Sequence, residues 1–170
     1  MFEEFLLTQV RSRGIQCAIE TGTNQARTTK VLARHFLKVF SIELSQKLFI
    51  EAIGMDFVNR DGVEFIHGDS AEHVALLAND IDAPCFWYLD AHFCDITGNE
   101  ATSEFPLWKE LEAIRERENL QDVIWVDDVH TFSEARPDLG QPWEDVTVDA
   151  VKELFPDRTL VVVDDGLVVL

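Results

Sequence analysis

Five short apolar runs, none alternating polar with apolar, constrain this chain more than any other feature. They occupy residues 16–19, 39–42, 63–66, 85–89 and 123–126 and are rich in Val, Ile and Phe. A strand with one face in water alternates. A run without alternation suits a strand covered on both faces, as in a parallel sheet. Between the runs, apolar residues recur at helical spacing. Val31, Leu32 and Phe36 fall in 28–38, and Leu48 and Phe49 in 46–52. Ser70 is the expected cap of a helix over 70–78 that carries Val74 and Leu77. Leu107, Leu111 and Ile114 mark a helix ending near Glu118, and Val148, Val151 and Leu154 mark another. A first helix runs through Phe2, Phe5, Leu6 and Val10. Strands separated by helices make βαβ units and a parallel sheet. The C-terminal part differs, because 159–163 and 167–170 flank Asp164-Asp165-Gly166, a hairpin turn signal. The expectation is an α/β fold: a doubly wound, mostly parallel sheet ending in a reversed strand, with helices on both faces. Trp87 and Trp125 read as core; Trp108 and Trp143 fit either core or substrate wall.

The 170 residues make one domain, 1–170, large enough to hold a core without disulfides or a structural metal. Fourteen basic residues stand against 32 acidic ones, a net charge of −18. Nucleic-acid binding depends on Lys and Arg against phosphate, so nucleic acid and anionic membrane surfaces are unfavoured partners. No apolar stretch approaches the length of a membrane span. Cys17, Cys85 and Cys94 have no metal-type spacing, and their odd number fits free thiols in a reducing compartment. The first residues lack the basic segment of an export signal. The expected location is the cytoplasm.

Each parallel run closes on an acid. Glu20 follows the first, Glu43 the second, Asp69 the third, Asp90 the fourth, and Asp127-Asp128 the fifth. In an open parallel sheet these ends share one edge, where ligands of such folds bind. Gathered there, the carboxylates repel one another unless cations or hydrogen-bond donors meet them. Taken singly, each fits a helix cap or an acidic loop equally well. The first turn, Glu20-Thr21-Gly22-Thr23, offers Gly22 for close backbone approach and a helix N-terminus beyond it. The three spaced glycines of a dinucleotide loop are absent, with Ala26 in the way, which argues against a nicotinamide enzyme. Glu43 follows that turn at the spacing of a carboxylate that accepts from a ribose diol. Asp69 beside it could accept from an adenine amino group.

The ordered set 19–23, 41–45, 68–70, 87–92, 106–114 and 123–128 resembles the class I S-adenosylmethionine-dependent methyltransferases, especially small bacterial proteins with a Glu-Thr-Gly-Thr turn. The resemblance covers about residues 15–132. It implies a Rossmann-like, seven-stranded sheet with an antiparallel last strand. Glu20, Thr21, Gly22 and Thr23 would then hold the methionine end of S-adenosylmethionine, Glu43 the ribose hydroxyls, and Asp69 with Ser70 the adenine. Ala26 departs from the Gly usual in closer relatives. At the strand-four and strand-five ends the chain is similar to sugar and catechol O-methyltransferases that bind Mg2+. That likeness makes Asp90, Asp127 and Asp128 metal-ligand candidates, with carboxylate oxygens suited to a hard cation.

His92, two residues past Asp90, is a candidate general base, a metal ligand or a packing residue; His130 is a weaker base candidate. Asp90 and His92 are the catalytic candidates. Residues 93–105 form a polar loop that reads as a lid or a plain surface loop. The leading expectation is methyl transfer from S-adenosylmethionine to a hydroxyl of a small-molecule or saccharide acceptor, assisted by Mg2+. Two alternatives stand beside it. One is a methyltransferase-like fold that binds without chemistry. The other is a metal-dependent phosphohydrolase, for which Arg27, Lys109 and Arg136 are the few phosphate-binding candidates. The acceptor and the oligomeric state have no signal in the sequence.

Overall fold

Every unbroken run is a strand, and three of the five extend beyond the expected bounds. The computed structural model describes residues 2–55, 62–92, 105–117, 121–133 and 143–170, apart from the Leu7 side chain. Its strands are β1 (Cys17–Thr21), β2 (Lys38–Glu43), β3 (Val63–His67), β4 (Cys85–Leu89), β5 (Val123–Val126), β6 (Leu160–Val163) and β7 (Gly166–Val169). The helices are α1 (Phe2–Phe5), α2 (Arg27–His35), α3 (Gln46–Ile53), α4 (Ser70–Asp80), α5 (Leu107–Glu116) and α6 (Val148–Leu154). α1 runs on into a π turn over Leu6–Val10 and a 3-10 turn over Arg11–Arg13.

The sheet has seven strands in the order β3-β2-β1-β4-β5-β7-β6. β1 to β5 pair in parallel, and β7 enters antiparallel between β5 and β6. The chain first winds outward from β1 to β3, then returns to the other side of β1 as β4. In sheets of this kind ligands bind where the order reverses, here beyond the C-terminal ends of β1 and β4.

Period-two alternation sorts the strand side chains onto two faces. Ile19, Trp87, Leu89, Ile124, Val126, Leu167 and Val169 join Val74, Leu111, Ile114 and Val151 in one core. Ala18, Phe86, Tyr88, Val123, Trp125 and Val168 join Phe5, Leu6, Val10, Leu32 and Phe36 in the other. Helices therefore cover both faces, which is why the strands needed no polar side. Trp143, 2% exposed, belongs to the first core, and Trp108 packs against it.

Three local expectations need correction. α2 ends at His35 rather than 38, because the Leu37 and Lys38 N–H groups turn to the Gln16 carbonyl, at 2.9 and 3.1 Å, and open β2. Ser70 begins α4 but does not cap it. Asp69 does, accepting from the Ala71 N–H at 2.8 Å. The hairpin turns at Asp164-Asp165, with Asp164 left-handed at φ 53°, while Gly166 already pairs with Val163. Gly166 is needed for space: a Cβ there would stand 2.0 Å from the Trp125 ring. The expected helix end near Glu118 and the loop residues 93–104 lie outside the described residues, as do Cys94 and Arg136.

The opposite sheet edge is tied by a buried ion pair. Arg117 Nε lies 2.6 Å from Asp122 Oδ2, with side chains 6% and 1% exposed. Arg117 also donates to the carbonyls of Ile81 and Ala83 at 2.5 and 2.6 Å, just beyond the C-terminus of α4. There its charge meets the negative end of the helix dipole. Asp122 accepts from the Cys85 N–H at 2.7 Å and the Trp87 indole at 3.1 Å. Removing one partner strands a buried charge. Asp122→Ala is expected to lower the unfolding free energy by about 3–5 kcal/mol in urea titrations. Glu64→Ala, which breaks the exposed Lys38–Glu64 pair, should cost under about 1 kcal/mol.

Candidate active site

The loop after β1 passes against the loop after β4. Gly22 has φ +79°, and a Cβ on it would lie 2.4 Å from the Asp90 carbonyl oxygen. Any side chain there would force the two loops apart, so glycine is required on both grounds. Thr21 Oγ1 accepts from the Asp90 N–H at 3.2 Å and fastens the same contact. Ala26 precedes α2 in the left-handed region at φ 52°, which costs an alanine roughly 1–2 kcal/mol and explains why glycine would suit that position.

Glu20 is inside β1 rather than beyond it, in register with Ser41 and Tyr88. It is 1% exposed, and its Oε2 accepts from the Thr29 and Ser41 hydroxyls, each at 2.5 Å. The Thr23 hydroxyl lies 2.6 Å from that of Ser41. Burial pushes the Glu20 carboxyl up to about 8, against the pull of the two hydroxyls. Glu43, 3% exposed, accepts the Asn24 N–H on Oε2 and the Ser45 N–H on Oε1, both at 2.8 Å. It thereby joins the end of β2 to the loop after β1. Thr29 and Ser41 had no assigned part; hydroxyls inside a helix stripe and an apolar strand were the available signal.

The second group forms where β4 and β5 end. His92 Nε2 lies 3.0 Å from Asp90 Oδ1 and 2.5 Å from Asp128 Oδ2. The ligand atoms of Asp90, His92 and Asp128 all fall within 4.8 Å of one another. Asp127 is not in this trio. Its oxygens accept from the Tyr88 hydroxyl and, at 3.1 Å, from the Trp125 indole N–H. Tyr88 and Trp125 belong to the other face, and Asp127 shares it by the two-residue period. Asp128 leaves the strand in a left-handed conformation, φ 59°, and turns back toward Asp90. His130 lies beyond the trio, 2.6 Å from Asp165 of the hairpin turn and 3.8 Å from Asp128.

Electrostatics couple these groups. Burial raises the Asp90 carboxyl to about 6, although His92 pulls it down. Burial pushes the His92 imidazole down, but Asp128 and Asp90 outweigh it and hold it at about 11. At neutral pH His92 is therefore an imidazolium between two carboxylates. The two carboxylates offer the oxygen donors a hard divalent cation takes, and the imidazole would join them only on giving up its proton.

Leu89, Asp90, His92, Phe105, Leu107, Glu110, Val126, Asp127 and Trp143 line a narrow cleft beside the trio. Glu110 received no role from the sequence. Its signal was position: it stands within the apolar stripe Leu107, Leu111 and Ile114. It is 1% exposed, and burial lifts its carboxyl to about 7 while the Ser70 and Thr21 side chains pull it down.

The sign of the Glu20 shift gives a test. Unfolded, its carboxyl ionises near 4.5; folded, near 8. Between those values the folded state keeps a proton that the unfolded state has lost, so this stabilising contribution fades as pH rises. Glu20→Gln removes the titration. Urea unfolding at pH 5 to 8 should show the wild type losing stability relative to the variant, by up to about 1.4 kcal/mol per pH unit.

No family model matches the chain, and no curated protein matches it in sequence. Its structure is similar to solved ones. A candidate caffeoyl-CoA O-methyltransferase from Staphylococcus aureus aligns with a TM-score of 0.67 and 16% identity, over 99% of this chain and 81% of that one. An O-methyltransferase from Bacillus cereus, solved with SAH, gives 0.59 and 19%, over 99% and 79%. The mycinamycin-pathway methyltransferase MycE, solved with Mg and SAH, gives 0.59 and 14%, over 99% of this chain and 46% of its own. The strand order, the reversed seventh strand and these alignments agree: the chain has the fold of the S-adenosylmethionine-dependent methyltransferases.

Proposed function

We infer that the protein transfers a methyl group from S-adenosylmethionine to a hydroxyl of a small-molecule or saccharide acceptor. The observation that carries this reading is the junction of the loops after β1 and β4, with Glu43 on one side and the Asp90–His92–Asp128 trio on the other. Solved neighbours of the same fold hold SAH, one of them with Mg, which supports the choice of cofactor and metal.

In this reading the loop Thr21–Thr23 receives the methionine end. Glu20 acts by shaping that loop through Ser41 and Thr29 rather than by direct contact. Glu43 takes the ribose hydroxyls: each carboxylate oxygen has a further acceptor site beyond the one its backbone N–H uses. Asp69 spends Oδ1 on the α4 cap, and its carboxylate retains capacity for the adenine amino group, with Ser70 beside it. The bound cofactor supplies an electrophilic methyl on a sulfonium.

Asp90 and Asp128 would hold Mg2+ through their carboxylate oxygens, without Asp127, and His92 would become a donor there only on giving up its proton. A cation there lowers the pKa of an acceptor hydroxyl. Without a bound cation, Asp90 is the better proton acceptor of the catalytic pair, since its carboxyl titrates near working pH while His92 already carries its proton. His92 holds the two carboxylates in place. The protein's remaining contribution is alignment, on which an in-line displacement chiefly depends. For the phosphohydrolase alternative, neither Arg27 nor Lys109 lines the cleft.

Titration calorimetry tests the cofactor site. S-adenosylmethionine should bind with a micromolar Kd that weakens at least about tenfold in Glu43→Ala, a loss of roughly 1.4 kcal/mol. Asp90→Asn should leave that binding intact and lower SAH formation with a hydroxylated acceptor by about 10²–10⁴. No cofactor binding would favour a fold without chemistry. Phosphate release from p-nitrophenyl phosphate without cofactor would favour the hydrolase, and turnover indifferent to Mg2+ would remove the metal.

A further inference from the structure

Cys17 opens β1 and Cys85 opens β4, and the two stand directly opposite each other in the parallel pairing. Residues at opposite positions point to the same face of a sheet, and neighbouring strands lie about 4.8 Å apart. That separation falls inside the Cα window of a disulfide, about 4.4–6.8 Å. Both side chains pack with Ile19 and Trp87 in the same core. The two thiols differ in setting. Cys85 is fully buried, while Cys17 keeps part of its surface in solvent. The hydrogen bond between the thiols draws Cys17 below the usual thiol range, against the effect of burial. Lys38, in register with Cys17 on its other side, and Arg117, with Nη2 at 3.9 Å from Cys85 Sγ, pull the same way, and Asp122 opposes them. The thiol contact and burial together push Cys85 up. An accessible thiolate beside cations is the reactive form of cysteine.

We propose that Cys17 and Cys85 are a redox modification site, closing a reversible disulfide across the starts of β1 and β4 when a peroxide is present. The site lies at the sheet edge opposite the cleft and stands independently of the methyl-transfer reading. Either cysteine alone would read as a small core hydrophobe. In register they add a reaction. The Cys17 thiolate attacks one oxygen of the peroxide. An S–O bond forms, the O–O bond breaks, and the departing oxygen leaves as hydroxide and takes a proton from solvent. Cys17 is then a sulfenic acid. The Cys85 sulfur attacks the Cys17 sulfur and gives up its proton. The S–S bond forms, the S–O bond breaks, and the hydroxide leaves with that proton as water. The thiol pair has been oxidised and the peroxide reduced. Exchange with a thiol reductant reopens the bond.

Intact-mass spectrometry of the folded full chain treated with hydrogen peroxide decides it. The wild type and Cys94→Ser, which leaves Cys17 and Cys85 as the remaining cysteines, are compared. In both, the monomer is expected to carry the Cys17–Cys85 link. In Cys94→Ser this reads as a mass loss of two hydrogens, restored by dithiothreitol. Peptide mapping of the oxidised wild type should recover the Cys17 peptide joined to the Cys85 peptide. Both thiols still taking N-ethylmaleimide when the peroxide-treated chain is unfolded would overturn the proposal. So would links between chains or to Cys94 in place of the Cys17–Cys85 link, Cys17 passing on to the sulfinic acid with Cys85 unmodified, or a Cys17–Cys85 link that forms in urea but not in the folded chain. The wild-type map gives this answer whether or not the variant folds.

Discussion

The desolvation of carboxyl groups at one end of one sheet governs this structure. Glu20, Glu43 and Glu110 are each at most 3% exposed, and Asp90 and Asp128 lie close by with His92 between them. Each must find donors or keep its proton. Glu43 finds two backbone N–H groups and thereby fixes the loop after β1. Glu20 finds two hydroxyls, which fall short, and its carboxyl rises to about 8. Asp90 and Asp128 find the imidazolium of His92. Glu110 is met by the Ser70 and Thr21 side chains, while its Oε1 has no hydrogen-bond partner among the described residues. The ranking separates structural acids from those available to a ligand, and it places the available ones together beside the cleft.

Much of the fold was legible because its causes are local. Unbroken Val/Ile/Phe runs require cover on both faces, and residues 85–89 and 123–126 are strands with the expected bounds. The acids at the strand ends were legible for the same reason. Pairing was not. Whether Asp127 or Asp128 faces Asp90 depends on the two-residue period of β5 and on one left-handed residue, Asp128, and composition records neither. Glu110 was hidden because an acid in an apolar stripe reads as a solvated neighbour until the cover over it is known. The end of α2 was set by Gln16, distant in sequence, whose carbonyl draws Leu37 and Lys38 into the sheet.

The two sheet ends serve different purposes. At the N-terminal edge Arg117 and Asp122 form a buried ion pair, and their hydrogen bonds bind α4, β4 and the start of β5 into one block. At the C-terminal edge the backbone takes the left-handed region at Asn24, Ala26 and Asp128, and polar groups remain for other partners. Stability is concentrated at one edge and strain at the other, as expected for a scaffold that presents a site.

A crystal structure of the protein with S-adenosylhomocysteine tests the central claim most directly. The account predicts ribose hydroxyls on the Glu43 carboxylate, the amino-acid end against Thr21–Thr23, and the sulfur facing the cleft between Asp90 and Glu110. A ligand bound elsewhere on the surface, or a crevice beyond β1 and β4 that stays closed at saturating ligand, would contradict it.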